Sequence, residues 1–344
     1  LGHIDADVAV GHHGAADRSD AAETAFFERA LTYVEAQVLY RDIPPLEGRQ
    51  YVATAPLDPP GTKRTEYRMI TRVGRAQLAT ETGDDAPTST FYQQTFGHNY
   101  VTVKGSYQYT YDELLAAQLA SQNSQGMGGP PINIDMEDAL AAREGIAQAI
   151  DVICGFGTSA TVPTGIIPLT PDLGILGLLN QPYASTYTIP NGASGSPLWS
   201  NKTPDEIVAD LTGIVAYQIS STYKVYSPKR IIVDVNNYQS QLAGRRMGDG
   251  SDETILSFFT RTRRESEQPV EVRSWQFCAG AGAAGTNRMI AYDPDERKVC
   301  LKMSQEFTQL QVEYQRETYR VPCRAKTAGV IARRPLSITY ADGF

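Results

Sequence analysis

Several places in this chain carry residue types that could do chemistry. Gly280-Ala-Gly282-Ala-Ala-Gly285 has the spacing of a dinucleotide-binding turn, where backbone N–H groups and a helix N-terminus hold a pyrophosphate. That chemistry needs a helix opening at the glycines, and Thr286 to Tyr292 reads as a strand, so a loop between strands is the reading. Gly192-Ala-Ser194-Gly195-Ser196 comes close to a nucleophile elbow, but lacks the closing glycine and the strand-to-helix setting. A hydrolase would also have to rely on His98, because His3, His12 and His13 all fall within residues 1–19. Asp293, Asp295 and Glu296 share one turn without the spacing of a calcium loop. No Gly-Lys-Ser/Thr phosphate loop occurs. No catalytic, cofactor-binding or metal-binding residue is therefore assigned, and a hydrolase using His98 is the alternative from another class.

Composition narrows the classes further. A chain of 344 residues exceeds what one core usually fills, which points to about two domains. Hydrophobic content of 41% and charged content of 20% are those of an ordinary globular protein. No apolar run approaches the roughly 18 residues that cross a membrane, so no membrane partner is expected. Leu1 to Ala25 lacks the basic start and apolar core of a signal peptide. The chain opens on Leu1, so its first residues read as processed or left out. A net charge of −8 argues against gripping nucleic acid but suits a surface that faces DNA without adhering. Cys154, Cys278, Cys300 and Cys323 form no Cys-x-x-Cys pair and read as small buried hydrophobes in a reducing compartment. Nineteen tyrosines against ten phenylalanines suit large, partly wet contact surfaces.

The elements follow from period and punctuation. Residues 1–19 read as a solvated tail. Asp20-Ala-Ala-Glu23 opens a helix striped by Phe27, Leu31, Val34 and Val38 until Pro44-Pro45. Arg64 to Val73 alternates Arg64, Glu66, Arg68 and Arg72 with Thr65, Tyr67, Met69, Thr71 and Val73, the period of a strand. Its return carries Glu81, Asp84 and Asp85, and such a hairpin needs a surface to rest on. Val101, Val103, Tyr107, Tyr109 and Tyr111 share one face of a second strand, after which Asp112 caps a helix through Ser121.

The organising stretch begins at Ile132. Asn133 or Asp135 can cap a helix of about 20 residues, roughly 30 Å long. Met136, Leu140, Ile146, Ile150 and Ile153 form its core stripe, and Gly155 and Gly157 supply the left-handed stop. A Gly- and Pro-rich loop then ends in Gly177-Leu-Leu-Asn180. Beyond it, Thr203-Pro204-Asp205-Glu206 starts a helix carrying Ile207, Leu211, Ile214 and Gln218. Ile231–Val235, Val270–Ala279, Arg288–Tyr292 and Lys298–Met303 read as strands, with helices near Tyr238–Arg245 and Thr254–Arg261. Strands near Phe307–Val321 and Arg324–Tyr340 close the chain.

A long helix, a Gly-rich loop and Gly177-Leu178-Leu179-Asn180, set in this order of elements, resemble the tailed-bacteriophage major capsid proteins. That fold is shared with encapsulins and the herpesvirus capsid floor. The resemblance implies an α+β chain with an N-terminal arm (1–48), an extended loop hairpin (49–95) and a peripheral domain with a long spine helix (96–181). An axial domain (182–303) and strands returning to the peripheral domain (304–344) would complete it. It implies a structural protein without cofactors, building an icosahedral shell around viral DNA through pentamers and hexamers. Scaffold, portal and decoration proteins would be its partners, the virion capsid its place and the host cytoplasm its site of assembly. An encapsulin-like cellular shell is the alternative within the fold. Contacts between subunits would involve Lys63, Arg64, Tyr67, Arg68, Met69, Arg72, Glu81, Asp84 and Asp85, with Phe27, Leu31 and Val34 of the arm. The hairpin's apolar face would rest on the next subunit, and its arginines would meet carboxylates there, including Asp135, Glu137 and Asp138. Gly280, Gly282 and Gly285 would lie near the axis of the pentamer or hexamer.

Overall fold

The computed structural model describes residues 44–78, 88–123, 134–159, 169, 171–248, 250, 252–266 and 268–344. The expected arm residues Phe27, Leu31 and Val34, and the acidic return with Glu81, Asp84 and Asp85, lie outside them. The chain divides into two compact units, one of Leu1–Ile43 with Tyr109–Glu137 and one of Pro44–Gln108 with Asp138–Phe344.

In the first unit, helix α2 (Tyr111–Asn123) opens on a capping box set by Thr110. The Thr110 hydroxyl accepts from the Glu113 N–H at 3.2 Å, and the Glu113 carboxylate accepts from the Thr110 N–H at 2.8 Å. The cap therefore stands two residues ahead of Asp112, which sits in the first turn, where its charge suits the helix dipole.

The second unit contains three sheets among the described residues. The first is a hairpin of β1 (Arg64–Val73) and β2 (Thr90–Asn99), antiparallel, with Tyr67 opposite Phe96 and Arg72 opposite Phe91. Strand β2 was not legible as a strand, because Gln93, Gln94 and Gly97 interrupt its apolar alternation. It also runs past the boundary expected at residue 95.

The second sheet runs β3 (Val101–Thr110), β10 (Thr318–Ala332), β8 (Val299–Gln309), with β9 (Glu313–Gln315) pairing β10. The third has the order β4 (Ser185–Tyr187), β11 (Ile338–Asp342), β7 (Arg288–Tyr292), β5 (Arg230–Val233), β6 (Glu271–Ser274). Two expectations change here. Strand β8 crosses the boundary expected at 303, and β11 joins the five-stranded sheet instead of returning with the strands before it. The turn Pro335–Ser337 explains the switch, since proline cannot donate to a ladder and the chain leaves the β8 partner there. The strand expected over Val270–Ala279 stops at Ser274, and Gln276–Cys278 is a tight helical turn. The helix expected at Tyr238–Arg245 is a one-turn helix, Val235–Asn237, followed by a wide π turn over Tyr238–Ala243.

Helix α3 (Ile134–Phe156) buries Ile146, Ile150, Ile153 and Cys154, and shares a core with Leu301, Met303, Val330 and Tyr340. Each such side chain contributes about 1.5–3 kcal/mol on leaving water. The N-terminal half of the expected stripe is not core: Met136 is 59% exposed and Leu140 38%. Periodicity identifies the apolar face of a helix but not how far along it a covering layer reaches. Helix α4 (Pro204–Ser221) starts at the capping box expected from its sequence, with Thr203 and Glu206 reciprocally bonded. Ile207, Leu211 and Ile214 pack with Ile255 and Phe259 of α5 (Ile255–Glu265) and with β5 and β7.

Candidate inter-subunit surfaces

The turn after α3 is held by close backbone contacts and side-chain hydrogen bonds. Gly157 has φ +67, and a Cβ there would lie 2.0 Å from the Ile175 carbonyl oxygen. A Cβ at Gly177 would stand 2.2 Å from the Gly155 oxygen, and one at Gly329 2.8 Å from the Leu176 carbonyl oxygen. Helix end, turn and the irregular middle of β10 thus touch backbone to backbone, which only glycine allows. Asn180 closes the turn: its Oδ1 accepts from the Gly177 N–H at 2.7 Å and its Nδ2 donates to the Phe156 carbonyl at 2.8 Å. Gln181 donates to Gly177 and Val330 carbonyls at 2.6 and 2.9 Å. The Tyr340 hydroxyl of β11 donates to the Leu178 carbonyl at 2.6 Å, tying the turn to the five-stranded sheet. The five residues Gly177–Gln181 therefore join the helix to both larger sheets.

The glycine-rich segment 280–285 is not a nucleotide site. No helix opens there; the turn Ala283–Gly285 leads into β7, with Ala284 at φ 56. The Ala283 N–H, which a phosphate would need, donates to the Asp342 carboxylate at 3.0 Å. Asp342 also takes two bonds from Arg288, at 2.8 and 2.7 Å. Burial works to raise the Asp342 carboxyl, but Arg288 and the Ala283 N–H outweigh it and hold it below the usual carboxylate range. The chain's own anion fills the place.

His98 stacks on Tyr67 with ring centroids 5.9 Å apart, and burial, then the Arg64 charge, lowers its pKa. Among the described residues no hydrogen bond joins it to a serine or a carboxylate. Ser194 lies in a tight turn in which Gly195 (φ +77) donates to the Gly192 carbonyl at 2.9 Å.

The hairpin has two unlike faces. Thr65, Tyr67 and Met69 share one face with His98 and Phe96, and near its root that face is covered by this same chain. Tyr67 packs on the cluster of Ala55, Tyr100, Cys300, Ala328 and Ile331, and Arg334 donates to the Met69 sulfur at 2.8 Å. The expectation that the apolar face rests wholly on a neighbour is corrected at this end. Lys63 and Arg64 flank the root, and Arg64 pairs with Glu66 at 3.0 Å over Gly97. The other face carries exposed Arg68 and Arg72 with Ile70 between them and Phe91 opposite Arg72. Ile70 (56% exposed) and Phe91 (65%) are residues that sequence reasoning missed. Alternation alone puts Ile70 with the arginines, whereas Phe91 emerges only from the strand register.

A groove of about 590 Å³ runs beside α3, lined by Leu46, Ile146, Ile150 and Phe307 with Arg49, Asp151 and Glu306 among its polar groups. Asp151 is buried and accepts from the Gly48 N–H of the short helix α1 (Gly48–Tyr51) at 2.6 Å. Burial raises its pKa against that hydrogen bond, and Glu47 beside it is raised by burial and then by the Asp151 charge. Arg49 pairs with Glu306 at 3.0 Å.

Solved capsids share this architecture. The capsid of Myoviridae phage XM1 matches with a TM-score of 0.71 at 16% identity, over 92% of this chain and 98% of that one. A structure from Mycobacterium phage Ogopogo matches with a TM-score of 0.56 at 12% identity, over 93% and 98%. The capsid of a native GTA particle gives 0.57 at 10% identity, over 94% and 97%. These likenesses define the fold as that of a phage capsid subunit. A family model described as major capsid protein matches residues 74–344, and the chain belongs to that family. Its role is structural, and its place is the virion capsid. No curated protein matches the sequence.

Proposed function

We propose that this chain assembles through pentamers and hexamers into an icosahedral shell around double-stranded viral DNA, with the hairpin of one copy laid over the α3 groove of the next. The observation that carries the reading is complementarity between two surfaces of the same chain. The hairpin presents Arg68, Ile70, Arg72 and Phe91, and the groove presents Leu46 and Phe307 with the partly exposed Glu306 beside Arg49, over buried Ile146, Ile150 and Asp151. Partly desolvated ion pairs at such a contact are worth up to a few kcal/mol and set register as much as strength. In the same reading the acidic start of α3, Asp135, Glu137 and Asp138 in sequence, meets arginines of a neighbouring copy. Exposed Met136 and Leu140 fit coverage by a neighbour.

In this reading residues 182–303 surround the axis with Gly280, Gly282 and Gly285 near it, and His98 is structural. Scaffold, portal and decoration proteins act on the shell, which forms in the host cytoplasm and faces DNA without binding its sequence. Membership of the major capsid protein family favours a viral shell over an encapsulin-like compartment.

The test is assembly of purified protein, followed by light scattering and electron microscopy. Wild type forms capsomers or closed particles, and R68E/R72E keeps the subunit's melting temperature while losing or misdirecting particles. Unchanged particle yield and size in the variant would remove the hairpin contact. A wild-type chain that stays monomeric at high concentration would remove the shell itself.

A further inference from the structure

The turn that comes close to a nucleophile elbow holds a different reactive pair, Asn191-Gly192. An asparagine before glycine loses its amide readily, because a residue without a side chain leaves its own backbone nitrogen open to the neighbouring carboxamide. Asn191 is exposed, and among the described residues no hydrogen bond holds its carboxamide. Glycine is the residue that fits beside it, since a Cβ at position 192 would lie 2.9 Å from Cγ of the buried Lys202. The backbone on both sides of Asn191 is held. Before it, the Pro190 carbonyl accepts from the Lys202 ammonium at 2.7 Å, and Lys202 is itself paired with buried Asp210 at 2.6 Å. After it, the Gly192 N–H donates to the Ser196 carbonyl at 3.0 Å. The next N–H, that of Ala193, donates to the Glu206 carboxylate at 2.7 Å. Glu206 also accepts from the Thr203 N–H at 2.8 Å, so the residue that caps α4 clamps this turn as well.

We propose that Asn191 is a latent deamidation site, kept shut in the folded chain because the attacking nitrogen is already engaged. In the reaction the Gly192 N–H gives up its proton to solvent, and its nitrogen bonds to Asn191 Cγ. The carboxamide C–N bond breaks, and its nitrogen leaves as ammonia. Water then opens the cyclic imide, to aspartate on one side or to isoaspartate on the other. Water is the only co-reactant, and no oxidant or reductant takes part. In the fold the Gly192 proton is held by Ser196, while the bonds at Pro190 and Ala193 stop the two residues from turning towards each other. The reaction therefore runs through local opening of the turn, and the free energy of that opening sets its rate. Isoaspartate adds a methylene to the backbone between the Lys202 and Glu206 clamps, so Gly192 no longer returns to Ser196. A single opening is thus recorded permanently at the start of α4. The site is independent of the contacts that build a shell.

The test incubates the full chain at mildly alkaline pH, folded and in urea. Mass spectrometry follows the change from amide to acid in the peptide that holds Asn191, and an isoaspartyl methyltransferase reads the isoaspartate. The rate in urea exceeds that of folded wild type by at least about tenfold, the factor that about 1.4 kcal/mol of opening free energy supplies. E206A frees the Ala193 N–H and weakens the cap, and it raises the folded rate by roughly three- to tenfold while leaving the rate in urea unchanged. E206Q keeps one oxygen for Ala193 and falls between the two. Melting curves show that each variant is folded, and if E206A is not, E206Q carries the comparison. Equal rates for wild type in the two conditions, no conversion in urea, or folded variants as slow as wild type would each overturn the proposal.

Discussion

The Asn180 carboxamide donates to the carbonyl of Phe156, at the last turn of α3, at 2.8 Å, while its oxygen accepts from Gly177 at 2.7 Å. A helix leaves its final carbonyls without intrahelical partners, and here a side chain 24 residues further on supplies one. The same carboxamide fixes the turn that reaches both larger sheets. Asn180→Ala leaves the Gly177 N–H unpaired and the Phe156 carbonyl with only the 3.4 Å bond from the Ser159 N–H, a loss of about 1–3 kcal/mol. Asn180→Asp does no better near neutral pH, because it sets a carboxylate against the negative end of the helix. Thermal melting of the subunit reads both; a wild-type melting temperature in Asn180→Ala would show that the turn holds without its side chain.

The glycines of α3 separate room from conformation. Gly145 faces open space, and Gly145→Ala in a helix interior should gain about 0.5–1 kcal/mol. Gly157→Ala meets a backbone oxygen and a left-handed φ together, and should lose more than about 3 kcal/mol or yield no folded protein. Equal effects at the two positions, in melting temperature and soluble yield, would show that the close approach at Gly157 relaxes freely.

Asp151 gives a pH dependence of definite sign. Burial holds its folded carboxyl above the unfolded value near ~3.9, so folding takes up its proton more readily than the unfolded chain does. The stability linked to that proton is complete below the unfolded value and is lost as pH rises through the folded one. Asp151→Asn keeps the oxygen that accepts from Gly48 and removes the buried charge. The variant should melt above wild type at neutral pH, and the gap should close as the solution is acidified towards about pH 3. A gap of constant size across the range would assign the effect to packing instead.

Gln218 is fully buried in α4, and neither its Oε1 nor its Nε2 has a hydrogen-bond partner among the described residues. An amide buried without partners costs about 1–3 kcal/mol. Gln218→Met, of similar length and without the amide, should therefore raise the melting temperature of the subunit. A lower one would mean that water or a neighbouring copy satisfies the amide.

Residues near one another in sequence settled what short-range physics controls. The capping box Thr203–Glu206, the alternation along Arg64–Val73, the glycine stop of α3 and the strand Arg288–Tyr292 were all legible, because each depends on neighbours within about one turn or one pleat. The order of these elements also carried the resemblance to capsid proteins. What the sequence withheld depends on partners far along the chain. Asp342 answers Ala283 across 59 residues, which turned a nucleotide-like glycine pattern into a satisfied internal joint. Phe91 joins the arginine face only through the register of β2 against β1, and Tyr67 is covered by Cys300 and Ile331 of its own chain. Met136 and Leu140 lie on the apolar face that periodicity marks, yet they stay exposed where Ile146 is buried. Periodicity names a face. Only the packed chain decides which part of that face is covered, since burial is settled by whichever distant segment arrives there.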